Sequence, residues 1–271
     1  MKYLILIFIL CFLNPILSAE ETTKPPLSKA EIWNSLNHQE GVIKLPRNLT
    51  LTVPKDFYFI NTADSQKIFV DLWEGYPVSG VFGCLVPKNF LKKGIEPWVM
   101  VISYDPWGYM ADNEATTIDY DQILLTKQQK YTGEDSFKDW ALAPTYNQNT
   151  HTLFWGQEIK YGFRSESSFT YYIRVLGREG IIKFASLAYE GKEEPLDQDI
   201  LDTLAQSVTF NNGYNYNDFD DDFKAIYGFE NLILGKRSLS ISKSQGFSLK
   251  LLPFILSFAF AFLMWYKRYV S

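Results

Sequence analysis

Residues 169–189 decide the fold: Phe169-Thr170-Tyr171-Tyr172-Ile173-Arg174-Val175-Leu176-Gly177-Arg178-Glu179-Gly180-Ile181-Ile182-Lys183-Phe184-Ala185-Ser186-Leu187-Ala188-Tyr189. Two runs rich in aromatic and β-branched residues flank Gly177-Arg178-Glu179-Gly180, a short glycine-bracketed link of the kind that joins antiparallel strands. The reading is strand, hairpin turn, strand, over 169–176 and 181–189. Working upstream, 152–161 and 138–143 are further apolar runs closed off by turn residues. Strands are also predicted over 80–86 and 98–104. Two short ones, over 42–45 and 49–53, alternate Leu49, Leu51 and Val53 with Thr50 and Thr52.

Helices bracket and interrupt this series. Ile68, Phe69 and Leu72 stand at helical spacing in 64–73, after the capping residue Thr62. Asp119 caps a second helix through Ile123, Leu124 and Lys127. Pro195 opens a third through Ile200, Leu201 and Leu204, and a short acidic helix is expected over 221–226. Consecutive antiparallel strands with helices between and after them predict an α+β fold, an antiparallel β-sheet flanked by helices in a layer sandwich.

The two ends read differently. Met1-Lys2, an apolar run to Leu13, Asn14-Pro15 and Leu17-Ser18-Ala19 have the form of a signal peptide over 1–19. That run is too short to cross a bilayer, which takes about 20 apolar residues. Residues 247–266 are apolar except for Ser248, Lys250 and Ser257, and reach roughly 30 Å as a helix. A single C-terminal transmembrane helix is predicted there, with Trp265-Tyr266 at the interface and a cytoplasmic tail over 267–271. The expected order is signal peptide 1–19, leader 20–40, extracytoplasmic α+β domain 41–235, basic linker 236–246, transmembrane helix 247–266 and tail. The expected location is the bacterial cytoplasmic membrane, with the domain on the periplasmic side.

Charge follows the same division. All 31 acidic residues and 19 of the 26 basic ones fall within 20–235, which leaves that body near −12. Lys2 and the six basic residues from Lys236 onward supply the rest. An acidic body argues against nucleic acid, whose phosphates need neutralising cations. The basic segment suits anionic headgroups, so the lipid bilayer is the expected partner through the C-terminal helix. Cys11 leaves with the signal peptide, and Cys84, in an apolar run, reads as a buried small hydrophobe.

A series of short motifs resembles one known family. They are Gly41-Val42-Ile43-Lys44-Leu45-Pro46, Tyr104-Asp105 with Gly108-Tyr109 and Asp112, and Ile118-Asp119-Tyr120. Trp140, Pro144 and Tyr146 follow, then His151-Thr152-Leu153-Phe154-Trp155 and Tyr172-Ile173-Arg174-Val175-Leu176-Gly177-Arg178 with Gly180. Phe210-Asn211, Gly213, Tyr216, Asp218-Phe219, Ala225 and Tyr227-Gly228 complete it. The family is one of bacterial membrane-anchored proteins of unknown function, labelled as predicted to be involved in regulation of amylopullulanase. Trp107, where the family turn is usually acidic, and Glu74, which interrupts a Trp-Gly pair, depart from its pattern. The resemblance implies an envelope location and a C-terminal anchor, and supplies no activity. The element order is also similar to a PsbP/Mog1-like sandwich, an analogy of fold that carries no function.

Catalytic patterns are sparse. His38, in a polar stretch, is expected at the surface, and His151 opens a strand after the Asn147-Gln148-Asn149 turn. No serine sits in a nucleophile elbow, no His/Cys group has metal spacing, and no phosphate loop is present. No cofactor and no metal are expected. Asp218, Asp220, Asp221 and Asp222 have the oxygen density of a calcium site without its spacing, and read as a solvated helix N-terminus. The turn holding Asp105, Trp107, Tyr109 and Asp112 carries rings and carboxylates; its two rings could stack on a sugar face or a partner protein, and packing down on the sheet is the favoured reading. With His151 these four are the candidate binding residues. Arg174, in an apolar strand, is expected to pair with a carboxylate, and Arg178 to support its turn. The functional expectation is a non-catalytic binding or scaffold module of the cell envelope, with another envelope protein or a glycan as its candidate partner. The alternative is a glycan-binding or glycan-processing domain, distinguished by whether Trp107 and Tyr109 line an open groove.

Overall fold

The computed structural model describes residues 27–93, 97–131, 134–163, 165–188, 196–219, 224–225 and 227–235. The predicted signal peptide, linker, transmembrane span and tail lie outside these. So does most of the acidic helix expected over 221–226, and the two described residues there, Lys224 and Ala225, are in no helix. The fold is mixed α+β with antiparallel sheets, as the hairpin at its centre predicts.

Seven strands form the main sheet: β3 (Phe57–Asn61), β4 (Val81–Pro87), β5 (Trp98–Asp105), β6 (Ser136–Asn147), β7 (Thr152–Lys160), β8 (Ser167–Leu176) and β9 (Ile181–Ala188). Their order across the sheet is β3-β4-β5-β9-β8-β7-β6, with every neighbouring pair antiparallel. A second sheet holds β1 (Val42–Leu45), β2 (Leu49–Thr52) and β10 (Val208–Phe210), in the order β1-β2-β10.

Side chains alternate across the main sheet, and each face is buried under a different cover. One face carries Leu85, Met100, Ile102, Phe154, Ile173 and Phe184 against Leu49 and Leu51 of the small sheet and Leu201 and Leu204 of α4 (Gln198–Gln206). The opposite face is split. Near β3–β5, Cys84, Val86, Val99 and Val101 pack on α1 (Lys29–Asn34), α2 (Thr62–Gln66) and the π-helical turn Lys67–Leu72. Near β7 and β8, Leu153, Trp155 and Tyr172 pack under loop 106–119, α3 (Tyr120–Lys130) and α5 (Asn231–Leu234).

Several elements differ from the sequence reading. The stretch read as a leader holds α1, started by a Ser28–Glu31 capping box, and buries Ile32 and Leu36. The globular part therefore begins before Gly41. His38 is half-buried rather than fully at the surface: its ring lies between Trp33 and Tyr58, at 4.4 and 4.9 Å, beside the Gln39–Phe59 bridge that ties this stretch to β3. Strand β3 was hidden behind Pro54 and a turn. The helix over 64–73 begins as α2, capped by Asn61 rather than Thr62, and widens into the π-helical turn that aims Ile68, Phe69 and Leu72 at the core. Asp119 caps α3 as expected, its Oδ1 accepting from Gln122 N at 2.9 Å. Cys84 is fully buried, and burial pushes its thiol pKa far up.

Arg174 makes no ion pair with a carboxylate among the described residues. Its face of β8 is aromatic, and a planar guanidinium stacks well on rings. It lies 4.8 Å from the Trp155 ring and 5.4 Å from Tyr172, and donates to the carbonyls of Ile173 and Phe184 at 3.0 Å. Arg178 does support its turn, donating to Gly213 O at 3.0 Å.

Candidate functional site

The β6–β7 turn ends on His151, which takes a left-handed backbone (φ 49°), a conformation that costs a non-glycine residue energy. The turn is held by Asn147, whose Oδ1 accepts from the backbone of Asn149 and Thr150. That geometry points the imidazole at loop 106–119, which returns from the end of β5 across the sheet. Asp112 of this loop meets it: Asp112 Oδ2 lies 3.0 Å from His151 Nδ1.

Two tyrosines complete the cluster. Tyr146 OH donates to the same Asp112 oxygen at 2.6 Å. Tyr216, in the short helical turn Tyr216–Asp218, accepts from Asp112 N at 3.0 Å and donates to Met110 O at 3.1 Å. The His151 ring stacks on Tyr216 at 3.9 Å, Tyr216 adjoins Tyr109 at 4.7 Å, and Tyr109 stacks on Phe219 at 3.7 Å. Four rings thus form a column with a carboxylate at its side.

The electrostatics follow from these bonds. Burial alone would raise the Asp112 pKa. Hydrogen bonds from Tyr146 and His151, with the Tyr216 hydroxyl close by, outweigh it and hold the carboxyl below its ordinary value. Burial, then the Asp112 carboxylate, pushes the Tyr146 hydroxyl far above an ordinary phenol, and burial does the same to Tyr216. Both hydroxyls therefore stay protonated and act as donors. A carboxylate accepts only, so the proton of this bond is carried by His151 Nδ1.

His151 and Tyr216 line a cleft of about 420 Å³ between this turn and the α4–β10 unit. Phe154, Val175, Leu176, Val208 and Phe210 contribute apolar surface, and Asn147, Thr150, Asn215, Asn217, Thr209 and Asp202 contribute amides, hydroxyls and a carboxylate. A carboxylate-oriented imidazole is half of a general-base arrangement. The hydrogen-bond partners its ring has among the described residues are Asp112 and Tyr146. No group of three metal-ligating side chains gathers among the described residues. What the arrangement offers is a fixed polar edge beside an apolar floor.

The structure brings together some of the sequence-predicted candidates and separates others. Asp112 and His151 are in contact, and Tyr109 joins them through Tyr216. Asp105 is engaged elsewhere, at the end of β5, with Lys183 Nζ 2.8 Å away. Trp107 and Tyr109 are half-buried. Trp107 packs on Tyr227 at 5.4 Å, in one cluster with residues of the 227–234 segment, and Tyr109 stacks on Phe219. Asp218 caps its own turn, accepting from Asn215 N at 2.9 Å. Sequence reasoning missed Tyr146 and Tyr216 as partners of Asp112, since they lie 34 and 104 residues away and neither follows a local pattern.

An antiparallel α+β domain with a half-buried carboxylate–imidazole–phenol cluster beside a cleft is the class of protein that fold and site define. Residues 37–266 match the family described as Protein of unknown function (DUF2167). The chain belongs to this family. No curated protein matches it.

Proposed function

We propose that this chain is a non-catalytic binding module of the bacterial cell envelope, exported by its N-terminal segment and anchored by the apolar run 247–266. The observation that carries the reading is the Asp112–His151–Tyr146–Tyr216 cluster. Its polar groups are used in fixing one another, which holds His151 rigidly at the rim of the cleft. That suits recognition, where a preorganised edge lowers the ordering cost of binding. The anchor is supported by the sequence and by the family match, which extends through residue 266 and so takes in the apolar run. No helix among the described residues is long and apolar enough to cross a membrane, so the anchor has to come from outside them.

The test is site-specific crosslinking in native membranes. A photo-reactive residue at Thr209, on the cleft rim, should capture a specific envelope component, and one at Tyr76, which is 90% exposed, should not. His151→Ala should reduce the Thr209 adduct about tenfold, the effect of one good polar contact. Equal adducts at both positions, unchanged by His151→Ala, would remove the cleft from the proposal.

One observation favours a glycan as ligand. The amides of Asn147, Asn215 and Asn217 and the Asp202 carboxylate are suited to pairing with sugar hydroxyls. Under that reading the domain is retained on peptidoglycan or polysaccharide and retention depends on Asn217, not on the Trp107 turn.

A further inference from the structure

The two ends of the main sheet are unlike. At one end lie the His151 turn and the cleft. At the other, β7 ends at Lys160 and turns into β8 through a tip carrying Tyr161, Gly162 and Phe163. Phe163 is 78% exposed and sits 5.6 Å from the Tyr161 ring. The tip is braced rather than loose, since Gly162 N donates to Asp135 Oδ1 at 3.0 Å and Lys160 Nζ donates to the Ser165 carbonyl. A large exposed ring on a braced tip, beside a tyrosine and a lysine, has the composition that proteins place at a membrane interface.

The last described residues also lie toward this end. Helix α5 starts after Phe229, which packs on Tyr146 beside the His151 turn, and ends at Leu234. Leu234 shares a hollow with Thr126, Lys130 and Tyr131, at the C-terminal end of α3. Tyr131 leads into the segment holding Asp135 and into β6, whose first residue, Ser136, pairs with Lys160. Gly235, left-handed at φ 63°, caps α5. From there, residues 236–246 separate the domain from the apolar run. Fully extended, those 11 residues reach no more than about 40 Å.

We infer that the β7–β8 tip, Phe163 with Tyr161, rests in the headgroup region of the bilayer that anchors this same chain. This rests on the anchored reading proposed above. The domain then stands tip-down, and the His151 cleft, one strand length away (about 27 Å for the eight steps from Thr152 to Lys160), faces outward. Two aromatic rings are a weak membrane anchor by themselves. The tether removes that difficulty, because a short linker holds the tip near the surface at an effective concentration in the millimolar range. The basic residues Lys236, Arg237 and Lys243 in the linker favour the same anionic surface.

The experiment uses the full chain reconstituted into phosphatidylethanolamine–phosphatidylglycerol vesicles. Cys84 is buried, so a Cys11→Ser background allows selective labelling of Ser165→Cys in the tip or Tyr76→Cys at the far end. A polarity-sensitive dye at 165 is expected to be quenched by nitroxide-bearing lipids, and the same dye at 76 is not. Phe163→Asp should lower the docked population about tenfold or more, the scale set by burying one aromatic ring, and restore the emission at 165. If the chain resists alkaline extraction from the vesicles but 165 is quenched no more than 76, the docking is wrong and the anchor stands. If the chain is extracted, the anchored reading fails and the docking falls with it.

Discussion

Asp112 shows how one residue's surroundings set its chemistry. Its carboxylate takes hydrogen bonds from Tyr146 and His151, which hold its pKa below the value of an unfolded aspartate, about 3.9. A depressed acid contributes stability that is complete above the unfolded value and is lost as pH falls through the lower folded one. Acid unfolding of the detergent-solubilised chain should therefore begin at higher pH in Asp112→Asn, whose stability changes less between pH 5 and 3 (about one to two units around that pKa). Overlapping acid-unfolding curves for the two proteins would mean the bonds do not survive in solution. Lys127 is the opposite case. Its amine sits 5.6 Å from the Phe137 ring and bonds at 2.9 Å to Gln157 Oε1, in the amide orientation that also accepts from Trp155 Nε1. Burial, then the charges of Lys130 and Arg174, lowers its pKa to about 8 from 10.5. Between those values the unfolded chain binds the extra proton, so stability should rise with pH through this window. Lys127→Met should raise stability at pH 7 by about 1–2 kcal/mol and flatten that rise. Urea midpoints at pH 7 and pH 10 check both. Asp112 and His151 were each legible as candidates. Their contact was not, because nothing in the local sequence says that loop 106–119 crosses back over the β6–β7 turn.

At the scale of elements, local rules explain most of the starts and stops. Asp119 supplies the first-turn acceptor that α3 needs, and Asp119→Ala should destabilise that helix by about 1 kcal/mol. Faster amide exchange in 120–124, with β7 unchanged, is the expected signature, and uniform exchange would mean that tertiary packing alone holds α3. Strand β4 shows the other kind of constraint. Gly83, at φ 141°, marks the bulge where pairing with β5 shifts, and a Cβ there would come within 2.3 Å of Ile60 O. Gly83→Ala should cost about 2 kcal/mol or more, read as a lower urea midpoint, because the backbone of β3 would have to move. Neither β3 nor the π-helical turn was legible. The first is short and follows a proline, and the second differs from an α-helix by one residue of slack that only packing demands.

The whole molecule is governed by which face of the main sheet each cover buries. Leu51, fully buried, joins the small sheet to the main one, and Leu51→Ala should cost about 2–5 kcal/mol. Val42→Ala, at a position 70% exposed, should cost under about 0.5 kcal/mol. Comparable losses at both positions would mean that the small sheet is not part of the cooperative core. By itself the sequence determined the α+β class, the antiparallel pairing of the central hairpin, and the periodicity that puts Phe154 and Trp155 on opposite faces. It did so because turns and two-residue alternation are local properties of a chain. Tertiary structure alone decided that Trp107 meets Tyr227 and Tyr109 meets Phe219, that Arg174 lies on rings, and that Tyr146 and Tyr216 serve Asp112. Those outcomes depend on contacts between residues tens to a hundred positions apart, whose closeness is set by how whole layers pack.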